Sequence, residues 1–176
     1  MKINIASNEV IHFIGIGGIG MSGLAQIMNN MGFVIQGSDL SKNKNTERLI
    51  KKGIKVYFGH NQKNLRKTTM VVISSAVKEN NKELLAAKNK KLPIFKRGEM
   101  LANIVSLKKN IVITGSHGKT TTTSLVANIL VEAGLDPTVI NGGVINSLKN
   151  NAQLGRGEWA VIESDESDGS FLKLPV

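Results

Sequence analysis

The stretch Ile11-His12-Phe13-Ile14-Gly15-Ile16-Gly17-Gly18-Ile19-Gly20-Met21-Ser22-Gly23-Leu24-Ala25 decides the fold. Residues 11–16 form a short apolar run cut by glycine, the pattern of a strand buried on both faces. From Ile19 onward, Leu24, Ile27, Met28 and Met31 fall at roughly helical spacing, and Gly32 closes the segment. Between strand and helix, residues 15–20 fit G-x-G-x-x-G. Glycine there permits a tight turn, lets backbone approach a diphosphate, and allows close helix–strand packing. The helix start adds N–H groups and the positive end of its dipole. Asp39 stands 19 residues beyond Gly20, at the end of the next predicted strand, where it would accept from ribose hydroxyls. The motif also suits a turn that only packs a helix, and by itself it does not identify the diphosphate compound.

Outward from this unit, strands and helices alternate, which predicts parallel sheets. Strands are expected at 33–36, 54–58, 70–74 and 93–95, and helices at 46–52, 82–90 and 99–105. After the polar break Lys108-Lys109-Asn110 the pattern restarts. A strand at 111–114 leads through a glycine-bearing turn into a helix that Gly134 ends, and further strands follow at 138–140 and 159–163. The expected fold class is α/β, with one complete unit over residues 1–107 and a second over 108–176. That second unit has roughly 65 residues, where a nucleotide-binding α/β domain normally needs well over 100. It reads as unfinished, and the chain as a fragment or a truncated reading frame.

The 176 residues include 23 Lys or Arg, 13 Asp or Glu, 41% hydrophobic residues and no cysteine. Such an apolar share builds a core and excludes wholesale disorder. Without cysteine there is no disulfide framework, thiolate metal site or cysteine nucleophile. No uninterrupted apolar run of about 18 residues exists, so no membrane-inserted helix is expected. The glycine-cut run at 10–16 is a poor secretory signal, and a cytoplasmic location is expected. The net charge of +10 invites a nucleic-acid reading, but residues 1–107 hold 17 basic against 6 acidic side chains and residues 108–176 hold 6 against 7. The excess lies in the first half as pairs such as Lys51-Lys52 and Lys90-Lys91, and only 4% of the chain is aromatic. That is thin for base stacking, so a solvated lysine-rich surface or anion steering is expected rather than a nucleic-acid partner.

A second loop, Gly115-Ser116-His117-Gly118-Lys119-Thr120, follows the strand at 111–114. It resembles a P-loop shortened at its start, because G-x-x-x-x-G-K-[ST] would place glycine where Ile113 stands. Gly118-Lys119-Thr120 is intact. Successive N–H groups there can cradle phosphates, Lys119 can reach β- and γ-phosphate oxygens, and the Thr120 hydroxyl can ligate Mg²⁺. Glu163-Ser164-Asp165-Glu166-Ser167-Asp168 closes a predicted strand with carboxylates that repel unless a cation or base is near. Alone, such a run is a solvated loop; behind a P-loop, a Mg²⁺ role is the better reading, and one or two carboxylates suffice. His12 reads as a satisfied core residue, His60 as a turn residue or a ligand contact, and His117 as a nucleotide contact without acid–base work.

One diphosphate-type loop followed by one short P-loop is a restrictive pair, and it resembles the Mur ligases of bacterial peptidoglycan synthesis. The matching segments are residues 11–25, Gly37-Ser38-Asp39, Ser74-Ser75-Ala76-Val77, Arg97-Gly98-Glu99-Met100-Leu101, residues 114–123, Asn141-Gly142-Gly143 and residues 163–168. Ser116 departs from the family's usual Thr but keeps a hydroxyl. The resemblance implies a Rossmann-like open parallel sheet domain at 1–107 for a UDP-linked substrate. It also implies an incomplete P-loop-type α/β domain at 108–176, the first part of the family's central ATP-binding domain. The family's third domain, and a later histidine used for a second Mg²⁺, are expected to be missing. By the same match, Gly15, Gly17, Gly18, Ile19 and Gly20 would hold the UDP diphosphate, with Ser38, Asp39 and Ser75 near the uridine. Gly115, Ser116, His117, Gly118, Lys119, Thr120 and Thr121 would surround ATP. Lys119, Thr120 and Glu163 would be catalytic, with Thr120 and Glu163 as Mg²⁺ ligands.

The implied activity is ATP-dependent joining of L-alanine to the muramyl carboxylate of UDP-N-acetylmuramate through an acyl phosphate. The 176-residue chain alone is expected to be inactive. One alternative is a recycling ligase that adds a ready-made tripeptide to the same UDP-sugar, although its glycine loop differs in character. A second is an NAD-dependent dehydrogenase, which leaves Gly118-Lys119-Thr120 idle. A third is a nucleic-acid-binding module, which predicts strongly salt-dependent binding and no preference for ATP.

Overall fold

The computed structural model describes residues 9–106, 108–140, 152–153, 155 and 157–163. The chain divides into two compact units, Met1–Arg97 and Gly98–Val176.

In the first unit, β1 (Val10–Ile14), β2 (Val34–Asp39), β3 (Lys55–Phe58), β4 (Met70–Ile73) and β5 (Ile94–Lys96) form one parallel sheet. Their order is β3-β2-β1-β4-β5. β1 is central because it can be buried on both faces: Ile11, His12, Phe13 and Ile14 are wholly enclosed. α1 (Ile19–Asn30) covers the sheet with Met21, Leu24, Ile27 and Met28, all buried. Each such side chain contributes about 1.5–3 kcal/mol of burial, so β1 and α1 form the firm base on which their connecting loop stands. Successive strands lie to opposite sides of β1, which opens a crevice outside the carboxyl ends of β1 and β4, where open α/β sheets take ligands.

α2 (Lys44–Lys51) and α3 (Lys82–Asn89) are short, and asparagine caps fix their starts. Asn43 Oδ1 accepts from the N–H groups of Asn45 and Thr46, while Thr46 Oγ1 accepts from Asn43 N–H. Asn81 Oδ1 accepts from the N–H groups of Glu83 at 2.9 Å and Leu84 at 3.1 Å. The second cap sets the phase of α3 so that Glu83 points inward and is fully buried.

In the second unit, β6 (Lys109–Ile113), β7 (Thr138–Ile140), β8 (Ala152–Gln153) and β9 (Trp159–Glu163) form a sheet of order β6-β9-β7-β8. β9 runs parallel to both β6 and β7, whereas β8 pairs antiparallel with β7. The inner strands are the most enclosed: Ala160, Val161 and Ile162 of β9 and all of β7 are buried. α5 (Lys119–Glu132) places Ala127 against Val139. α4 (Arg97–Val105) begins where the two units divide. No helix among the described residues is long and apolar enough to cross a membrane.

The α/β class, the parallel first sheet and the parallel pairing of β6, β9 and β7 follow the sequence reading, whereas the antiparallel β8 makes the second sheet mixed. β2 extends past Gln36 to Asp39, because Gly37 and Ser38 still pair with Phe13 and Ile14. Gly37 is needed there: a Cβ would stand 2.6 Å from both Ile16 Cδ1 and Phe13 O. The contact division at Arg97 precedes the expected break at 107/108, because α4 gathers with the second unit. A 3₁₀ turn at Gln62–Leu65 and the two-residue β8 have no forerunner in the sequence pattern.

Candidate functional site

β1 delivers the chain into Gly15 at φ 82°, and the loop that follows is held by β2. Gly15 N–H and Ile16 N–H both donate to Ser38 O, at 2.8 and 3.0 Å. Gly17 N–H donates to Asp39 Oδ2 at 2.7 Å, and Gly18 N–H to Gly15 O at 3.2 Å. Beyond this packed turn α1 opens at Ile19, and the first turn of a helix has N–H groups without an intrahelical carbonyl and the positive end of the dipole. Gly15, Gly17, Gly18 and Asp39 line a cavity of about 540 Å³, which reaches His60 on one side and Lys78 and Asn81 on another. It lies at the carboxyl ends of the strands, has an ammonium group and a helix start for an anion, and has room for a nucleotide-sized ligand.

The other expected residues of this site, Ile19, Gly20, Ser38 and Ser75, do not line the cavity. Ile19 is half exposed at the first turn of α1, and Gly20 lies under Arg97, whose Cδ would stand 3.1 Å from a Cβ there. Ser75 is exposed next to Ser74, which lines the cavity. Ser38 is fully buried, and its hydroxyl is engaged below the wall rather than in it.

That engagement belongs to a polar cluster that sequence reasoning missed. Glu83 Oε2 accepts from the Ser38 hydroxyl and lies 3.4 Å from His12 Nε2 and 3.2 Å from His60 Nδ1. Its Oε1 accepts from Asn64 Nδ2 at 2.6 Å and Asn61 N–H at 3.3 Å. His12 Nδ1 in turn faces the Gln36 amide nitrogen at 3.3 Å. Burial pushes the Glu83 carboxyl up, but the hydrogen bonds from His12, Ser38 and Asn64 outweigh it and bring the pKa down to about 2. His12 is thus the satisfied core residue its strand position suggested, and His60 joins the cluster to the cavity. The signal for Glu83 was slight: an acidic residue two positions after an asparagine cap reads first as a solvated dipole partner.

The second loop is built differently. Gly118 caps α5 at φ 75°, a left-handed conformation that glycine adopts freely, and Ser116, His117 and Gly118 are exposed. Lys119 Nζ folds back and donates to Gly115 O at 2.6 Å. Thr120 Oγ1 lies 2.9 and 3.1 Å from the two carboxylate oxygens of Glu163, so the first residue of the acidic cluster does reach the loop. Thr121 follows, exposed, on the first turn of α5. Residues 164–168 and the Asn141-Gly142-Gly143 segment lie outside the described residues. Among the described residues no three His, Cys, Asp or Glu side chains converge on a metal position. The Thr120–Glu163 pair offers hard oxygen donors alone, which suits a cation such as Mg²⁺ that keeps most of its waters.

Comparison with known proteins matches both units. Residues 10–109 fit the family described as "Mur ligase family, catalytic domain", and residues 113–166 fit "Mur ligase middle domain". A protein named UDP-N-acetylmuramate–L-alanine ligase from Pelagibacter ubique is 65% identical over 99% of this chain and 38% of its own length. The crystal structure of UDP-N-acetylmuramate-alanine ligase MurC from Thermotoga maritima superimposes with a TM-score of 0.86 at 35% identity, over 93% of this chain and 39% of that one. The UDP-N-acetylmuramate:L-alanyl-gamma-D-glutamyl-meso-diaminopimelate ligase from Neisseria superimposes with a TM-score of 0.83 at 34% identity, over 91% of this chain and 53% of that one. The chain thus spans little more than a third of the curated relatives it matches. With matches that run through both of its units, the chain belongs to the Mur ligase family.

Proposed function

We propose that this chain is the substrate-binding and nucleotide-binding beginning of an ATP-dependent ligase that joins L-alanine to UDP-N-acetylmuramate in peptidoglycan precursor synthesis, in the cytoplasm. Residues 1–107 would hold the UDP-sugar and residues 108–176 the first part of the ATP site. The observation that carries the reading is the succession, in one chain, of a nucleotide-sized cavity at a glycine loop and a P-loop whose Thr120 meets Glu163. The 65% identity to a ligase of that name supports L-alanine over a tripeptide as acceptor.

In the chemistry this reading requires, a muramyl carboxylate oxygen attacks the γ-phosphorus of ATP and ADP leaves, giving an acyl phosphate. The L-alanine amine then attacks the acyl carbon, loses a proton and displaces inorganic phosphate. In the first unit, the start of α1 and Lys78 would orient the diphosphate, with Gly15, Gly17 and Gly18 shaping the turn and Asp39 facing the ribose. In the second, Lys119 would leave Gly115 O for the phosphate oxygens and neutralise charge as it develops. Thr120 and Glu163 would hold Mg²⁺, which supplies charge neutralisation at the phosphates when bound. Ser116, His117, Gly118 and Thr121 would complete the phosphate-facing surface of the loop.

A thermal-shift titration of this chain with UDP-N-acetylmuramate, NAD and Mg·ATP in parallel tests the proposal. A ligand at about 100 times its Kd adds roughly 2.7 kcal/mol to the unit that binds it. The expected result is stabilisation by the UDP-sugar and none by NAD. Stabilisation by NAD without the UDP-sugar would overturn the ligase reading at its first loop.

A further inference from the structure

Glu83 is a buried ionised side chain for which the proposed ligation has no use, and a carboxylate is not kept from water without a reason. Its donors fix the protons around it. As an ionised group it only accepts, so the Ser38 O–H points at Glu83 Oε2 and leaves Ser38 Oγ with lone pairs alone toward its other neighbour. That neighbour is His60 Nδ1, 2.9 Å from Ser38 Oγ and 3.2 Å from Glu83 Oε2. Nδ1 therefore faces two acceptors and must carry the ring proton. In the neutral imidazole the other nitrogen, Nε2, then bears a lone pair, and among the described residues nothing bonds to it. His60 lines the cavity that also holds the glycine loop and Asp39. Gly59 N–H donates to Asp39 O at 2.8 Å, which ties the His60 loop directly beside the strand end where a ribose would lie.

We infer that Glu83 is a positioning residue: by holding the Ser38 hydroxyl and the His60 Nδ1–H, it turns His60 Nε2 into a hydrogen-bond acceptor in the cavity wall that selects a base offering an N–H, a uracil-type imide, over a cytosine-type base. The inference rests on the uridine diphosphate reading of this cavity and deepens it. Uracil presents an N–H between two carbonyls, so it donates to such an acceptor. Cytosine presents a ring-nitrogen lone pair at the same position, and two lone pairs facing each other leave both without a partner. The diphosphate, held by the loop and helix start, is common to both nucleotides and contributes nothing to the choice. His12 and Asn64 matter because they hold the carboxylate from its remaining sides, so that its orientation does not depend on His60.

The test combines a ligand-free measurement with a binding comparison. In the ¹⁵N-labelled chain, the imidazole spectrum of His60 should show Nδ1 protonated and Nε2 bare. Calorimetric titration should show uridine diphosphate bound roughly tenfold to a hundredfold more tightly than cytidine diphosphate, the range expected for one lost and unreplaced hydrogen bond. Glu83→Gln should mix the His60 tautomers and remove most of that preference, by weakening uridine diphosphate while cytidine diphosphate changes by less than about threefold. Should Glu83→Gln fail to fold, His60→Leu leaves the carboxylate its other donors and should remove the same preference. A His60 spectrum with the proton on Nε2 overturns the inference. So does a Glu83→Gln chain that weakens both nucleotides equally, as a merely structural carboxylate would, or a wild-type chain with no preference. Binding of neither nucleotide overturns the uridine reading itself. The ligand-free spectrum separates that failure from a failure of Glu83 to set the tautomer.

Discussion

Gly17 and Gly118 occupy corresponding places in the two units, each in the turn between a parallel strand and the helix that follows it. A Cβ on Gly17 would stand 2.7 Å from Asn43 Nδ2 and 2.8 Å from Asp39 Oδ2 and Thr46 Cγ2. A Cβ on Gly118 would meet nothing within 4 Å, but the backbone there has φ +75°. One glycine is required by space and the other by conformation. The first loop is accordingly complete without a ligand, its N–H groups spent on Ser38 O and the Asp39 carboxylate. The second is held by Lys119 on Gly115 O and by Thr120 on Glu163 of β9, contacts that a phosphate and a cation could take over. A ligand adds to the first loop and exchanges with the second.

The largest effect that could break this contrast is at Lys119. In a full-length ligase carrying these residues, Lys119→Ala should lower ligation roughly 10³-fold or more, while affinity for UDP-N-acetylmuramate stays within about twofold. A parallel loss of UDP-sugar binding in calorimetry would show that the loops are not independent. Next come the glycines. Gly17→Ala should cost about 1–3 kcal/mol by overpacking, and Gly118→Ala about 1–2 kcal/mol from its left-handed backbone. The chain has one tyrosine and one tryptophan, Tyr57 in the first unit and Trp159 in the second, so denaturant unfolding can be read in each separately. Gly17→Ala should move the Tyr57 transition alone, and Gly118→Ala the Trp159 transition alone.

The smallest effect is acid sensitivity. The Glu83 carboxyl is held at about 2, below its ordinary 4.5, so the stability it contributes is complete above pH 4.5 and drains away as pH falls toward 2. Between pH 4.5 and 3.5 the first unit should lose about 1 kcal/mol, seen at Tyr57. The second unit should lose little in the same window: its Glu158 carboxyl is lowered by the Lys109 hydrogen bond but is fully exposed, and water screens the pair. Glu83→Gln should flatten the Tyr57 response.

Much of this was legible from residue order because local pattern and tertiary role agree. β1 and α1 were legible from their apolar spacing, and Gly118-Lys119-Thr120 with Glu163 from motif chemistry. β2 was read short because Gly37 and Ser38 lack strand character, and what keeps them in the ladder is pairing to β1 and β3. Ser38 was expected near the uridine, yet its hydroxyl is spent on a carboxylate 45 residues away. The Glu83 cluster draws on β1, β2, the loop after β3, the 3₁₀ turn and α3, and no window of sequence contains that convergence. The asparagine cap at Asn81 was the one local clue, since it sets which face of α3 turns inward.

The two strand orders also bear on how the chain assembles as it leaves the ribosome. In the first sheet the central strand, β1, precedes the other described strands, and β2 pairs with it after a separation of only 24 residues, Val10 to Val34. Each later strand finds an edge already waiting. In the second sheet the central strand is β9, the last described, and it separates β6 from β7. Until Trp159–Glu163 emerges, about 50 residues after its partner β6, those two strands have no shared neighbour: β6 lacks its partner, and β7, paired with β8 on one side, leaves its other edge open. Among the described strands, the first sheet can grow outward from β1, whereas β6 and β7 are joined only once β9 is made, and that interval is when the second sheet most needs protection from aggregation.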